Sequence, residues 1–226
     1  MDKVDICAAD YEILGLEQTW EELLLYLDPS DKEKTLRFKF EADRIRSVAG
    51  ACLIKANIKR AFPDEEIKTE RTELGKPYIS GKKGYQFNLS HSGRMIVFAS
   101  DSSPVGVDVE AVREKDWRIF HRFLTEKEMA MIESSGDPEG CFFEVWTIRE
   151  AFAKEEGEGL GLIDKPFIVD YDRRVIEYGN KTLYFKTFEH MADIRYKVSI
   201  CSPHDISGAE LKILTPEDWD GLRSLL

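Results

Sequence analysis

The sequence predicts an α+β protein made of two similar halves related by a pseudo-twofold, each with a long helix packed on a small antiparallel sheet. Two observations support this. The order of a helical pattern followed by short strands runs twice through the 226 residues, and the strands are separated by Ser/Gly and Ser/Pro turn sequence. The length fits one large domain or two small ones. The repeat of order places the boundary around Ser103–Val105, giving an N-terminal half, 1–103, and a C-terminal half, 104–226.

In the first half, Ser30 and Glu33 have the spacing of a capping box and lead into charged sequence. A helix is expected over residues 38–62, because Ile45, Val48, Ala49, Cys52 and Ala56 recur on one helical face, and Pro63 stops it. Strands are expected at 85–89, 95–100 and 105–110. The second half opens with a helix capped at Thr125, with Glu128 at the third position of the box. The turn 134–138 separates it from a helix over 141–156, which ends in the glycine-rich 157–161. Strand-like runs follow at 167–169, 175–178, 183–188 and 196–201, and Thr215-Pro216-Glu217-Asp218 starts a short last helix.

With 42% hydrophobic and 11% aromatic residues the chain has material for a packed core. A net charge of −11 argues against nucleic acid or an anionic membrane surface as partner. Cys7, Cys52, Cys141 and Cys201 form no CxxC pair and read as reduced core thiols. The start, MDKVDICAAD, lacks an apolar signal core, and no run approaches the roughly 20 apolar residues of a membrane span, so a soluble cytoplasmic protein is expected. Gly75-Lys76 is followed by Pro77 and is no P-loop; Gly157, Gly159 and Gly161 fail the dinucleotide pattern. His91, His121, His190 and His204 form no zinc motif, and there is no G-x-S-x-G elbow.

The informative stretch is Gly106-Val107-Asp108-Val109-Glu110. In a strand Asp108 and Glu110 share one face while Val107 and Val109 point to the core. Paired carboxylates repel, and a divalent cation such as Mg²⁺ or Mn²⁺ removes that penalty; a solvated strand end is the plainer alternative. On the helix 141–156, Trp146, Glu150 and Lys154 stack at spacings of four. They read either as a surface Glu–Lys pair below a buried Trp, or as a third metal ligand followed by a phosphate contact. Spacing alone leaves both open.

The stretch 106–110, followed by Trp146-Thr147-Ile148-Arg149-Glu150-Ala151-Phe152-Ala153-Lys154, closely resembles the paired signature of the 4′-phosphopantetheinyl transferases, (I/V)G(I/V)D(I/V)E and W(S/T)xKE(A/S)xxK. Glu156-Gly157-Glu158-Gly159-Leu160, Gly75-Lys76-Pro77 and Phe87-Asn88-Leu89-Ser90-His91-Ser92-Gly93 resemble three further family blocks, in order. Length and layout are similar to the monomeric surfactin-synthetase-activating type.

The resemblance implies Mg²⁺-dependent transfer of the phosphopantetheine arm of coenzyme A to a serine hydroxyl of an acyl or peptidyl carrier protein, releasing adenosine 3′,5′-bisphosphate. It makes Asp108, Glu110 and Glu150 the metal ligands, with Asp108 also beside coenzyme A, and Lys154 the lysine at the pyrophosphate. Glu128 matches a base or additional metal-site acid, against its reading as a cap; Glu150 is the other candidate base. Lys34, Arg46, Ser47, Lys76, Ser90, His91 and Arg149 fall at coenzyme A positions, Arg149 replacing the usual lysine. Phe120, Phe123 and Leu124 are candidate anchors for the carrier, against the reading that they pack the core. The alternatives carried with this reading are an inactive relative that binds coenzyme A or a carrier, and an unrelated metal-dependent phosphohydrolase.

Overall fold

The computed structural model describes residues 4–162 and 167–226. Strand β1 (Asp5–Asp10) leads into a short helix α1 (Trp20–Leu23), then α2 (Pro29–Arg37) and the long α3 (Glu41–Ala61). A hairpin of β2 (Thr69–Arg71) and β3 (Pro77–Ile79) precedes the strands β4 (Gln86–Ser92), β5 (Met95–Asp101) and β6 (Gly106–Ala111). Next come α4 (Glu126–Ser134) and α5 (Pro138–Glu156), then β7 (Ile168–Asp170), β8 (Val175–Tyr178), β9 (Lys181–Met191) and β10 (Arg195–Ser202). β11 (Leu211–Ile213) and α6 (Pro216–Arg223) end the chain. The fold is α+β.

Two main sheets run in the orders β11-β1-β5-β4 and β6-β10-β9-β8-β7. They are stacked in the middle of four layers: helix, sheet, sheet, helix. Alternation along the strands explains the layering. On β5, Ile96 faces α3 with Ile45, Val48 and Leu53, whereas Met95, Val97 and Ala99 turn to the second sheet. There they meet Val107 and Val109 of β6 and Tyr196, Val198 and Ile200 of β10. The opposite side of β10 turns Cys201 toward Ile148, Ala151 and Phe152 of α5. Val107 and Val109 are therefore core residues, and Asp108 and Glu110 lie on the side of β6 that meets α5.

Several local expectations shift. Helix α2 has Asp28 as its flanking N-cap residue and starts at Pro29, so Ser30 lies inside the helix and the 30–33 box does not form; Glu33 pairs with Arg37 instead. The helix expected over 38–62 is α3 alone, because Phe38 and Phe40 are extended. The box at Thr125 forms with Glu128 as read. β4 runs on through Ser90-His91-Ser92, where turn sequence was expected, and the turn falls at Gly93-Arg94. The chain's end crosses back: β11 pairs in parallel with β1, and Trp219 and Leu222 of α6 join the core over α3, so the first sheet is completed from residues beyond 103.

Candidate active site

β4 and β6 are edge strands of different sheets, and β6 lies directly under α5. Gly106 permits that approach: a Cβ there would overlap the Ala151 carbonyl oxygen and the Glu155 amide nitrogen. The consequence is that the acids of β6 and the polar face of α5 meet at one place. Lys154 Nζ lies 2.6 Å from Asp108 Oδ1 and also donates to Ser90 Oγ at 2.7 Å, while Ser90 Oγ donates to the same Asp108 oxygen at 2.7 Å. Lys154 thus crosses to the strand and pairs with Asp108; the Glu150–Lys154 surface pair is not what the helix builds. Asp108 is buried, and its Oδ2 has no hydrogen-bond partner. Glu110 Oε2 accepts from Ser92 Oγ at 2.8 Å and from Arg113 at 3.3 Å.

Glu150 completes the acidic set. Desolvation raises its carboxyl to about 7, with the Asp108 and Glu110 charges adding to the rise and Lys154 opposing it. Its field therefore comes from the residues named by the sequence. Among the described residues, however, no group of three or more His, Cys, Asp or Glu side chains stands close enough to hold a metal ion as placed. The donor chemistry still suits a hard cation. Oxygen ligands are present, one buried carboxylate oxygen is unpartnered, and a neighbouring carboxyl is held near half-protonation by burial and the other two charges.

Lys154 also stands at the end of a cleft of about 800 Å³ between the halves, lined by Lys34, Arg46, Ser47, Lys76 and His91. This volume is ordinary for a cofactor-sized ligand. Arg46 pairs with Asp43 and donates to the Gly93 carbonyl at 2.7 Å, and Ser47 hydrogen-bonds Thr35 at 2.7 Å. Desolvation, then the charges of Arg46 and Lys154, hold the His91 imidazole below its usual value. The lining carries both signs: Lys34, Arg46, Lys76 and Lys154 share it with Asp28, Asp31, Asp43, Glu65 and Glu66. Lys76 differs from the reading. Its ammonium donates to the carbonyls of Lys154 at 2.6 Å and Glu155 at 2.9 Å, capping the end of α5 just before the left-handed Gly157.

The chain carries two contiguous matches to models of one family: "4′-phosphopantetheinyl transferase, N-terminal" over residues 15–103 and "4′-phosphopantetheinyl transferase superfamily" over 104–207. The curated relatives include 4′-phosphopantetheinyl transferase Sfp of Bacillus subtilis, 29% identical over 88% of this chain and 92% of the relative. Another is the B. subtilis transferase ffp, 31% identical over 86% and 92%. The transferase gsp of Aneurinibacillus migulanus is 32% identical over 74% and 72%. The chain belongs to the 4′-phosphopantetheinyl transferase superfamily.

Members of that superfamily transfer the phosphopantetheine moiety of coenzyme A to carrier proteins. Two residues that the resemblance gave to the site of this phosphopantetheinyl transferase are not brought there. Arg149, buried, binds Glu128 through Nε–Oε1 at 3.1 Å and Nη2–Oε2 at 2.8 Å, with its guanidinium 4.5 Å from the Phe167 ring centroid. Glu128 additionally accepts from the Thr125 amide and hydroxyl and from Tyr171 Oη at 2.7 Å. Burial would raise the Glu128 carboxyl, but these donors, Arg149 foremost, hold it below the usual carboxylate range. Neither residue lines the cleft. The correction has a simple reason: neighbours on a helix point about 100° apart, so Glu150 faces β6 while Arg149 faces the Glu128 cap of α4.

Phe120 and Phe123 pack against Trp146 at centroid distances of 5.1 and 6.0 Å, and Leu124 is buried, so the three proposed anchors serve the core. Ile119, in the same 3-10 helical segment, is the exposed apolar residue, 64% accessible. The sequence reading takes Asn88 and Ser92 only as part of the block 87–93, with no role of their own, and misses Arg113. Period two was the available signal: Asn88, Ser90 and Ser92 alternate in step with Asp108 and Glu110. No helix among the described residues is long and apolar enough to cross a membrane.

Proposed function

We propose that this protein transfers the 4′-phosphopantetheine arm of coenzyme A to a serine hydroxyl of an apo acyl or peptidyl carrier protein in a Mg²⁺-dependent reaction, releasing adenosine 3′,5′-bisphosphate. The observation that carries the proposal is the Lys154–Asp108 pair at the end of a cleft that also holds Lys34, Arg46, Ser47 and His91, with Glu150 and Glu110 in the same field. Lys34, Arg46, Ser47 and His91 hold the phosphates of the nucleotide end. Lys76 supports the cleft through α5, and Ser90 through Asp108. Asp108, Glu110 and Glu150 are the residues that would hold Mg²⁺ (or Mn²⁺), which would supply charge neutralisation at the pyrophosphate.

The protein's own groups then do the remaining work. Lys154 steadies the departing phosphate oxygen and delivers a proton to it. Glu150, through a carboxylate oxygen not given to the cation, is the candidate to accept the serine proton. Glu128 is unsuited to that task, since both its carboxylate oxygens are engaged by Arg149, Tyr171 and Thr125. The reading includes a monomeric cytoplasmic enzyme serving fatty-acid, polyketide or nonribosomal peptide carriers. The test is incubation with Mg²⁺, coenzyme A and a panel of purified apo-carriers, followed by intact-protein mass spectrometry. A phosphopantetheine mass gain on the carrier serine is expected, and Asp108→Ala abolishes it with the circular dichroism spectrum unchanged. Cleavage of coenzyme A with no carrier gain would sink the proposal.

A further inference from the structure

The two sheets meet at β4 and β6 without a backbone ladder between these strands. Side chains take its place. Asn88 Oδ1 accepts from the Val107 amide at 3.1 Å, Ser90 Oγ donates to Asp108, and Ser92 Oγ donates to Glu110 and accepts from the Ala111 amide at 3.2 Å. From Asn88 to Ser92, every second residue of β4 thus holds a group of β6. The two acids are treated alike. In each, one oxygen receives a serine of β4 and a cation from the second half: Lys154 on Asp108 Oδ1, Arg113 on Glu110 Oε2. The other oxygen stays open. Asp108 Oδ2 is buried with no partner, and among the described residues no hydrogen bond reaches Glu110 Oε1.

A serine hydroxyl has one proton to donate. With the Ala111 amide on its lone pair, the Ser92 proton is directed to Glu110, which fixes the carboxylate's rotation. The adjoining turn is fixed as well. Gly93 has φ +55°, a Cβ on it would lie 2.8 Å from Tyr196 Oη, and that oxygen accepts the Arg94 amide at 3.1 Å. We propose that Ser92 is a positioning residue for the transfer reaction, holding Glu110 so that its second oxygen is presented to a divalent cation; this rests on Asp108, Glu110 and Glu150 being cation ligands. Partners that orient ligating carboxylates commonly change metal affinity about 10- to 100-fold when removed.

The test compares wild type, Ser92→Ala and Ser92→Thr by isothermal titration with Mn²⁺ in saturating coenzyme A, alongside Mg²⁺ titrations of carrier modification. Ser92→Ala should weaken Mn²⁺ binding about tenfold and raise the half-saturating Mg²⁺ by the same factor. At saturating Mg²⁺ the coenzyme A KM should match wild type. Ser92→Thr, which keeps the hydroxyl, should restore both within about twofold. An unchanged Mn²⁺ isotherm for Ser92→Ala, or no recovery in Ser92→Thr, overturns the proposal while wild-type binding keeps the cation reading intact. A wild-type protein that takes up no Mn²⁺ overturns both.

Discussion

Glu150→Gln tests the electrostatics of the site without any substrate. Burial and the Asp108 and Glu110 charges move this carboxyl from 4.5 to about 7. A carboxyl that holds its proton more tightly folded than unfolded favours the folded state most when protonated. Its contribution is therefore complete below about pH 4.5 and is lost as pH rises through about 7. At 1.36 kcal/mol per pKa unit, the shift is worth roughly 3 kcal/mol across that window, and partial solvent access lowers it to about 2 kcal/mol. A glutamine at this position has nothing to ionise, so the variant should gain about 2 kcal/mol relative to wild type at pH 8 and about nothing at pH 4.5. Urea unfolding in EDTA at pH 4.5, 6, 7 and 8 measures the difference directly. Glu155, also raised to about 7 by burial and the neighbouring Glu156 charge, titrates in both proteins and cancels in the comparison. Parallel stability curves for wild type and Glu150→Gln would refute the argument that Glu150 sits in the field of the other two acids.

Gly106→Ala should destabilise the protein by about 3 kcal/mol in chemical denaturation and cut transfer sharply, because its Cβ overlaps the backbone of α5 at Ala151 and Glu155. Arg149→Ala should lower stability by about 3–5 kcal/mol by leaving Glu128 buried without its cation, while the coenzyme A KM measured on the remaining folded enzyme stays at the wild-type value. Cation binding should release protons from Glu150: about half a proton at pH 7, nearly one at pH 6, and little at pH 8. Titration calorimetry in buffers of different ionisation enthalpy reads this release, which Glu150→Gln should abolish.

What the sequence made legible followed from periodicity. Val107 and Val109 inside with Asp108 and Glu110 outside is a period-two pattern in a short strand, and Glu150 with Lys154 is a one-turn repeat on a helix. Both hold in the structure. Ser90-His91-Ser92 was misread because a polar run beside glycine resembles a turn; the strand persists there because its partner face is another edge strand's polar side. β11 pairs with β1 at the other end of the chain, and no local pattern encodes a contact of that range. Arg149 and Glu150 show a different limit. Adjacent in the motif, they lie on different sides of α5 by helix geometry, and only the tertiary placement of Glu128 on α4 decides what Arg149 meets there.

The charge balance explains why the acidic cluster can exist before any ligand arrives. The chain carries −11 overall, yet its proposed substrate is a polyanion. Each of the three acids has its own local compensation: Lys154 beside Asp108, Arg113 beside Glu110, and on Glu150 a proton retained up to about pH 7. Lys154 faces both ways, since it pairs with Asp108 and also lines the cleft. A phosphate entering the cleft would compete for that ammonium and reduce its hold on Asp108. The acids would then lack a counter-charge at the moment the nucleotide binds, and a divalent cation shared with the phosphates would restore it. Coenzyme A and the cation should therefore bind cooperatively, and the coupling should weaken when Lys154 is replaced by an uncharged residue, because Asp108 then lacks its counter-charge with or without nucleotide.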